Sequence, residues 1–290
     1  MNDSILKKLT ERFAEQGFTL ALAPEIEFYI EGGAITDALK DECYEQFGKA
    51  GILSFEIVPE EAEHHHEIAL VPINDPSVAA ENLLKVKDII RKTAKKHKLT
   101  ARFDAKPYPE KPGSGLHIHV SILCNGKNLF EKKGDEPETE DMLHAIGGLC
   151  ATMPEAMIYF APTEESYARF TSSINTTQEG ISRHNNAPVT VSWGGNNRTT
   201  AIRIPASTID PSLRHIEHRV AGADADPVQV IGAVLAGIYH GITQKVTPPE
   251  RTYGNAYDAQ YNLPLLPKDI DEAKHYFEKG TILRTYLTAG

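Results

Sequence analysis

Three short segments carry acids, histidines and an arginine where a strand would ordinarily carry Val or Ile: Glu25-Ile26-Glu27, His117-Ile118-His119 and Glu217-His218-Arg219. Successive side chains of a strand point to opposite faces. Glu25 therefore shares a face with Glu27, His117 with His119, and Glu217 with Arg219. Such groups are costly on a buried face unless they are paired. Metal ions together with an anionic substrate would satisfy all of them, since hard divalent cations prefer carboxylate oxygen. Taken alone, Glu25 and Glu27 read equally well as acids on the solvent side of an edge strand.

Segment 59–67, Pro-Glu-Glu-Ala-Glu-His-His-His-Glu, has the density of charge usual for a solvated loop. Glu67 nonetheless runs into Ile68-Ala69-Leu70 and sits at the mouth of a strand, where a ligand is held firmly. The histidines are adjacent rather than four apart on a helix face, so this is no zincin motif. Gly113-Ser114-Gly115 lets backbone approach a ligand closely, just ahead of His117 and His119. That segment lacks the third glycine of a dinucleotide fingerprint, and no Walker A pattern occurs in the chain. Arg169, Arg198, Arg203 and Arg219 complete the set. Each presents a rigid fork suited to carboxylate or phosphate. One such arginine is usually a structural ion pair, whereas four beside acidic metal ligands resemble a phosphoryl-transfer site.

The elements that must position these groups are legible from periodicity. Helices are predicted over 4–17, 36–50, 76–97, 139–160 and 228–242, with Pro154 as an interruption or a start. Strands are predicted over 19–30, 53–58, 68–71, 100–103, 116–123, 189–193, 201–205 and 215–220. Asn125-Gly126 marks a hairpin. An acidic loop is expected over 135–140 and a polar, irregular one over 170–188. Strands and helices mix without regular alternation, which favours an α+β fold: an antiparallel-rich sheet with polar residues on its open face and helices behind.

Composition sets the outer bounds. The 290 residues carry a net charge of −10, which argues against nucleic acid as a partner. Stretch 228–242 is the longest apolar run, contains Gln229 and His240, and is too short to span a bilayer. Residues 4–17 are charged and amphipathic, unlike a secretory signal. Cys43, Cys124 and Cys150 are odd in number, fit no zinc spacing, and read as reduced thiols. A cytoplasmic protein with no membrane partner is expected.

Taken in order, the motifs resemble the catalytic domain of the glutamine synthetase family over about residues 20–242: Pro-Glu-Ile-Glu-Phe, Pro-Glu followed by Glu-Ile, Gly-Ser-Gly-Leu-His-Ile-His, Ser-Tyr-Ala-Arg, Asn-Arg-Thr-Thr-Ala-Ile-Arg-Ile-Pro and Ile-Glu-His-Arg. The resemblance implies one catalytic domain over 1–290, built on a curved antiparallel sheet with helices on its outer face. It implies two or more Mg²⁺ or Mn²⁺ ions. Glu27, Glu60 and Glu67 match ligands of the ion on the glutamate side; Glu25, His117 and Glu217 match those of the ion on the ATP phosphates. Gly113 and Arg169 match positions that hold glutamate. Arg198, Arg203 and Arg219 match catalytic positions that grip phosphate or substrate carboxylate, while His119, Ser121 and Arg203 lie toward the nucleotide.

The implied reaction joins glutamate to ammonia or an amine through γ-glutamyl phosphate, with ATP as co-substrate. Four departures qualify it. The small domain that precedes this one in the family, and that completes a neighbouring subunit's site there, does not fit ahead of Glu25; the resemblance implies a homo-oligomer, with another chain needed if the site is to be completed. Asn186 replaces an acidic residue that takes a proton from ammonium. His65-His66 replaces Gly-Gln. Ser212 stands where a lysine often lies near adenine, and the C-terminus stops early. Asn186 and the missing domain motivate a larger amine, methylamine or a polyamine, as the alternative nucleophile. A catalytically silent regulatory relative is the reading from another class.

Overall fold

One long strand organises the chain. In the computed structural model, which describes residues 3–132, 138–170, 176–178, 181–183, 187–206 and 210–287, strand β1 (Phe18–Glu31) alternates strictly over most of its length. Leu20, Leu22, Ile26 and Phe28 are fully buried on one face. Ala21, Ala23, Glu25 and Glu27 occupy the other. The remaining elements are α1 (Asp3–Glu15), α2 (Asp37–Lys49), β2 (Val58–Pro59), β3 (His65–Ala69), α3 (Pro76–Lys96), β4 (Thr100–Arg102), β5 (Leu116–Cys124), β6 (Lys127–Asn128), α4 (Glu140–Phe160), β7 (Thr176–Gln178), β8 (Ile181–Arg183), β9 (Trp193–Gly194), β10 (Ile202–Arg203), β11 (Ile216–His218), α5 (Pro227–Gln244), α6 (Ile270–Lys279) and α7 (Ile282–Leu287).

The sheet runs β2-β3-β1-β5-β11-β10-β9, with β4 added to β1 and β6 to β5. Its pairings are antiparallel apart from β9–β10. The fold is thus α+β, an open and mostly antiparallel sheet. Helices α1 and α3 pack on the apolar face of β1, and α5 packs against α1, α3 and α4. Their starts obey local chemistry. Asp75 and Asp226 accept hydrogen bonds from the first turns of α3 and α5, each followed by a proline whose missing N–H is not needed there. The Ile5, Leu6, Leu9 and Phe13 stripe of α1 is buried as its spacing requires.

Several sequence expectations are corrected. The histidine run is not a loop: His65 to Ala69 form β3, with His66 and Ile68 buried on the core side. Segment 53–58 is not a full strand. It makes an isolated bridge, Ser54 to Leu70, before the two-residue β2, where Pro59 has no N–H to extend the ladder. Helix α4 continues through Pro154 because it is buried along most of its length, and tertiary packing overrides the local break. Within 170–188 the structure places an antiparallel ribbon, β7–β8, rather than irregular chain only. Strands β9 and β10 are shorter than expected, and α6 and α7 lie beyond the segments read from the sequence. The acidic loop expected over 135–140 falls largely outside the described residues. Asn125 and Gly126 both take positive φ, as a tight hairpin turn demands.

Close approach of α4 and α5 needs glycine. A Cβ at Gly148 would meet Gly241 Cα at 2.5 Å. Gly148→Val is therefore expected to destabilise the chain by about 1–3 kcal/mol or more through overpacking. A urea midpoint unchanged from the parent would contradict this contact.

Candidate functional site

Cross-strand register assembles the site. Across β1 and β3, Glu27 lies opposite Glu67; across β1 and β5, Glu25 lies opposite His117. Across β5 and β11, His119 faces Glu217, which in turn lies opposite Arg203 of β10. Directly opposed residues have Cβ atoms about 5 Å apart. Five strands thus bring to one face the groups that the sequence scatters over almost 200 positions.

Two kinds of carboxylate result. Glu217 is 1% exposed and is gripped by Arg219 Nη1 at one oxygen and by Arg203 Nη1 at the other, at 2.6 Å. Burial pushes its carboxyl up, but Arg219 and His119 outweigh burial and hold it at about 2. Glu25 Oε1 accepts from His117 Nδ1 at 2.5 Å, and His119 Nε2 lies 3.0 Å from its Oε2. Against burial, His119 and His117 hold Glu25 well below the usual carboxylate range. Glu67 and Glu60 have the opposite fate. Burial and then Glu25 and Glu27 push Glu67 up to about 9; burial and Glu27 push Glu60 up to about 7.

Ligand-type atoms converge in three groups: Glu27, Glu60 and Glu67; Glu25, Glu67 and His117; and Glu25, His119 and Glu217. Within each, the atoms lie within 4.8 Å of one another. The first is the trio read from the sequence. The trio of Glu25, His117 and Glu217 is met differently. His117 Nδ1 lies 3.8 Å from Glu217 Oε1, but Glu67 joins Glu25 and His117, and His119 joins Glu25 and Glu217. His117 Nε2 is buried without a hydrogen-bond partner. This donor set of oxygens and imidazole suits a hard divalent cation.

Glu27, Glu60, His117, Gly113, Arg169, Arg198 and Arg219 line one pocket, together with Glu61, His65, Pro112 and Ala187. Arg169 is buried and donates to Val220 O at 2.7 Å, whereas Arg198 is exposed at the rim. Glycine is obligatory on the wall. A Cβ at Gly113 would meet Ala105 O at 2.5 Å, and one at Gly115 would strike His117 and Arg169. Gly115 N donates to Glu27 Oε2 at 2.7 Å. Arg203 lies outside this pocket, held by Glu217 and by Asn196 Oδ1.

A second, mostly apolar cleft opens on the other side of Glu25. Ala21, Ala23, Phe55, Leu70, His119, Ser121, Leu213 and His215 are among its lining residues, and Ser212 borders it. His119 and Ser121 are thus brought together here. Phe55 and Leu213 were missed by sequence reasoning. Their mark is visible only in the fold, where both are large apolar side chains that remain exposed, at 57% and 64%. Glu61 and His65 were also missed as pocket residues. His65 is detectable only by counting alternation back from Glu67. Asn186 lies outside the described residues.

Comparison with known proteins identifies the family. The family model described as glutamine synthetase, catalytic domain, matches residues 34–290. The chain belongs to the glutamine synthetase family. It is 38% identical to γ-glutamylputrescine synthetase PuuA of Escherichia coli K12 over 233 residues, 79% of this chain and 46% of that protein. It is 30% identical to glutamine synthetase of Pyrococcus abyssi over 309 aligned positions, covering 98% of this chain and 67% of the relative. The solved structure of a GmaS/ADP complex superposes with a TM-score of 0.85 at 25% identity, covering 99% of this chain and 70% of that one. The chain therefore spans about half to two thirds of the length of these family members. None of the described helices is long and apolar enough to cross a membrane.

The raised carboxyls make a pH prediction. In the folded chain Glu60 and Glu67 keep protons that the unfolded chain releases near its ordinary 4.5. Their contribution to stability is full below that value and is lost as pH rises through about 7 and about 9. In a chelator, Glu67→Gln should raise the melting temperature at pH 9 by several degrees relative to the parent, and much less at pH 5. An equal effect at both values would contradict the repulsion.

Proposed function

We propose that this chain carries the catalytic machinery of an ATP-dependent glutamate–amine ligase. The observation that carries the reading is the convergence of six ligand-type side chains, Glu25, Glu27, Glu60, Glu67, His117 and Glu217, with arginines on one sheet face. Family membership supports the reaction class.

A free carboxylate is a poor electrophile. The γ-carboxylate of glutamate therefore attacks the γ-phosphorus of ATP, ADP leaves, and γ-glutamyl phosphate forms. The amine then attacks the acyl carbon, phosphate leaves, and the amine loses a proton to give the amide. Mg²⁺ or Mn²⁺ held by Glu27, Glu60 and Glu67, and by Glu25, His117 and Glu217, would supply charge neutralisation on the transferring phosphoryl group. The protein's own groups do the rest. Gly113 and Arg169 hold glutamate against the pocket wall, supported by the glycine clearance there. Arg198 and Arg219 face the same space and meet developing negative charge. Arg203 stays on Glu217 and fixes its carboxylate toward the nucleotide side. The apolar cleft with His119 and Ser121 is the place for the base and ribose, on the far side of Glu25. Arg198 and Glu61 are exposed at the rim of the first pocket, consistent with a site completed by another chain in a homo-oligomer.

Ammonia is the default nucleophile. A larger amine such as methylamine or a polyamine is favoured by Glu61, an exposed acid at the pocket rim that suits a cationic alkylamine. The 38% identity to γ-glutamylputrescine synthetase points the same way.

Purified protein with ATP, glutamate, Mg²⁺ or Mn²⁺ and a panel of ammonium, methylamine and putrescine should release ADP with at least one amine. Glu25→Ala and Glu217→Ala should each lower that rate by about 10²–10³-fold or more. No turnover with any amine, or full activity in both variants, would contradict the ligase reading.

A further inference from the structure

One residue of the histidine run sits inside the acidic pocket without joining its clusters of ligand-type atoms. His65 is 2% exposed and lines the pocket beside Glu27 and Gly113. In the β1–β3 register it faces Tyr29, two residues from the Glu27–Glu67 pair. The two rings stack with centroids 4.2 Å apart and planes within 9°. Tyr29 Oη donates to Pro112 O at 2.9 Å, so the stack is tied to the wall that runs from Pro112 to Gly115.

The contacts of the ring fix where its proton lies. Nε2 is 3.1 Å from Ser114 Oγ and 3.6 Å from Glu27 Oε2. Nδ1 is buried and has no hydrogen-bond partner. An ionised carboxylate only accepts, and a neutral imidazole has one donor and one acceptor nitrogen. With Glu27 Oε2 this near, an Nε2–H on that edge avoids lone-pair repulsion. His65 contributes no atom to the three groups of ligand-type atoms. Its effect on Glu27 passes through the wall it holds: Ser114 is followed by Gly115, whose N–H donates to Glu27 Oε2 at 2.7 Å. That hydrogen bond orients the Glu27 carboxylate from the wall side. That orientation includes Glu27 in the trio with Glu60 and Glu67.

We propose that His65 is a positioning residue: its hydrogen bond to Ser114, held in place by the Tyr29 stack, fixes the Ser114–Gly115 wall whose Gly115 N–H orients Glu27, and thereby sets the affinity of the Glu27–Glu60–Glu67 cluster for a divalent cation. The inference rests on the cation-binding reading of that cluster. Partners of this kind, which orient a metal ligand without touching the metal, typically change affinity by about 10–100-fold when removed.

Two substitutions separate the hydrogen bond from the packing. His65→Phe keeps the ring, its volume and the stack on Tyr29 but has no donor. His65→Gln gives up the stack but places an amide N–H where Nε2 lies. The probe is Mn²⁺ alone, titrated into the full chain without ATP or glutamate and followed by the electron paramagnetic resonance of free Mn²⁺, with melting curves to establish folding. His65→Phe should bind Mn²⁺ about 10-fold or more weakly while melting near the parent, and His65→Gln should stay within about threefold of the parent. Parental affinity in His65→Phe, or equal losses in both variants, would overturn the positioning role. Glu67→Ala is the control for the underlying reading. If it binds Mn²⁺ as tightly as the parent, the cluster is not the cation site, and both the reading and this inference fall.

Discussion

Like-charge repulsion among carboxylates on one sheet face is the constraint around which the molecule is built. The fold relieves it unevenly. On the β5–β11 side, Glu25 and Glu217 are met by two histidines and two arginines and stay ionised. On the β1–β3 side, Glu60 and Glu67 have no comparable set of cations and are driven toward protonation. Such an imbalance is unfavourable for folding alone. It is what a site must look like if external cations are to complete it.

Everything else serves that face. The helices bury the opposite side of β1, so the other surface of the sheet is left for the polar groups and the apolar cleft beside them. Gly113 and Gly115 leave room for His117 and Arg169 to approach from behind. Ser166 links the turn that carries Arg169 to Asp224, with its Oγ 2.5 Å from Asp224 Oδ2. Lys87, buried on α3, donates to Ala223 O at 2.7 Å, and Ala223 N donates to Ser114 O at 2.9 Å. The core helix and the pocket wall are thus one connected structure, which fixes the site by packing as well as by charge.

Much of this was legible in the sequence, and the reason is local. Alternation in β1 and β5 exposes its polar face to inspection, because an acid or histidine in a strand pattern contradicts propensity. The strong caps at Asp75 and Asp226 likewise announce their helices. Pairing register is what could not be read. Nothing local says that Glu67 faces Glu27, or that Arg203 and Arg219 both close on Glu217. The histidine run was hidden for a different reason. Its composition mimics a solvated loop, while its alternation is set by the neighbouring strand rather than by its own residues. The apolar cleft was invisible because Phe55 and Leu213 come from short, irregular segments far apart in the chain.

The central claim is that cations belong among these carboxylates, and locating them directly tests it best. Crystals of the chain grown with Mn²⁺ should give anomalous-difference peaks at coordination distance from Glu27, Glu60 and Glu67 and from Glu25 and His117. Peaks confined to surface acids, with these side chains still facing one another across empty space, would contradict it.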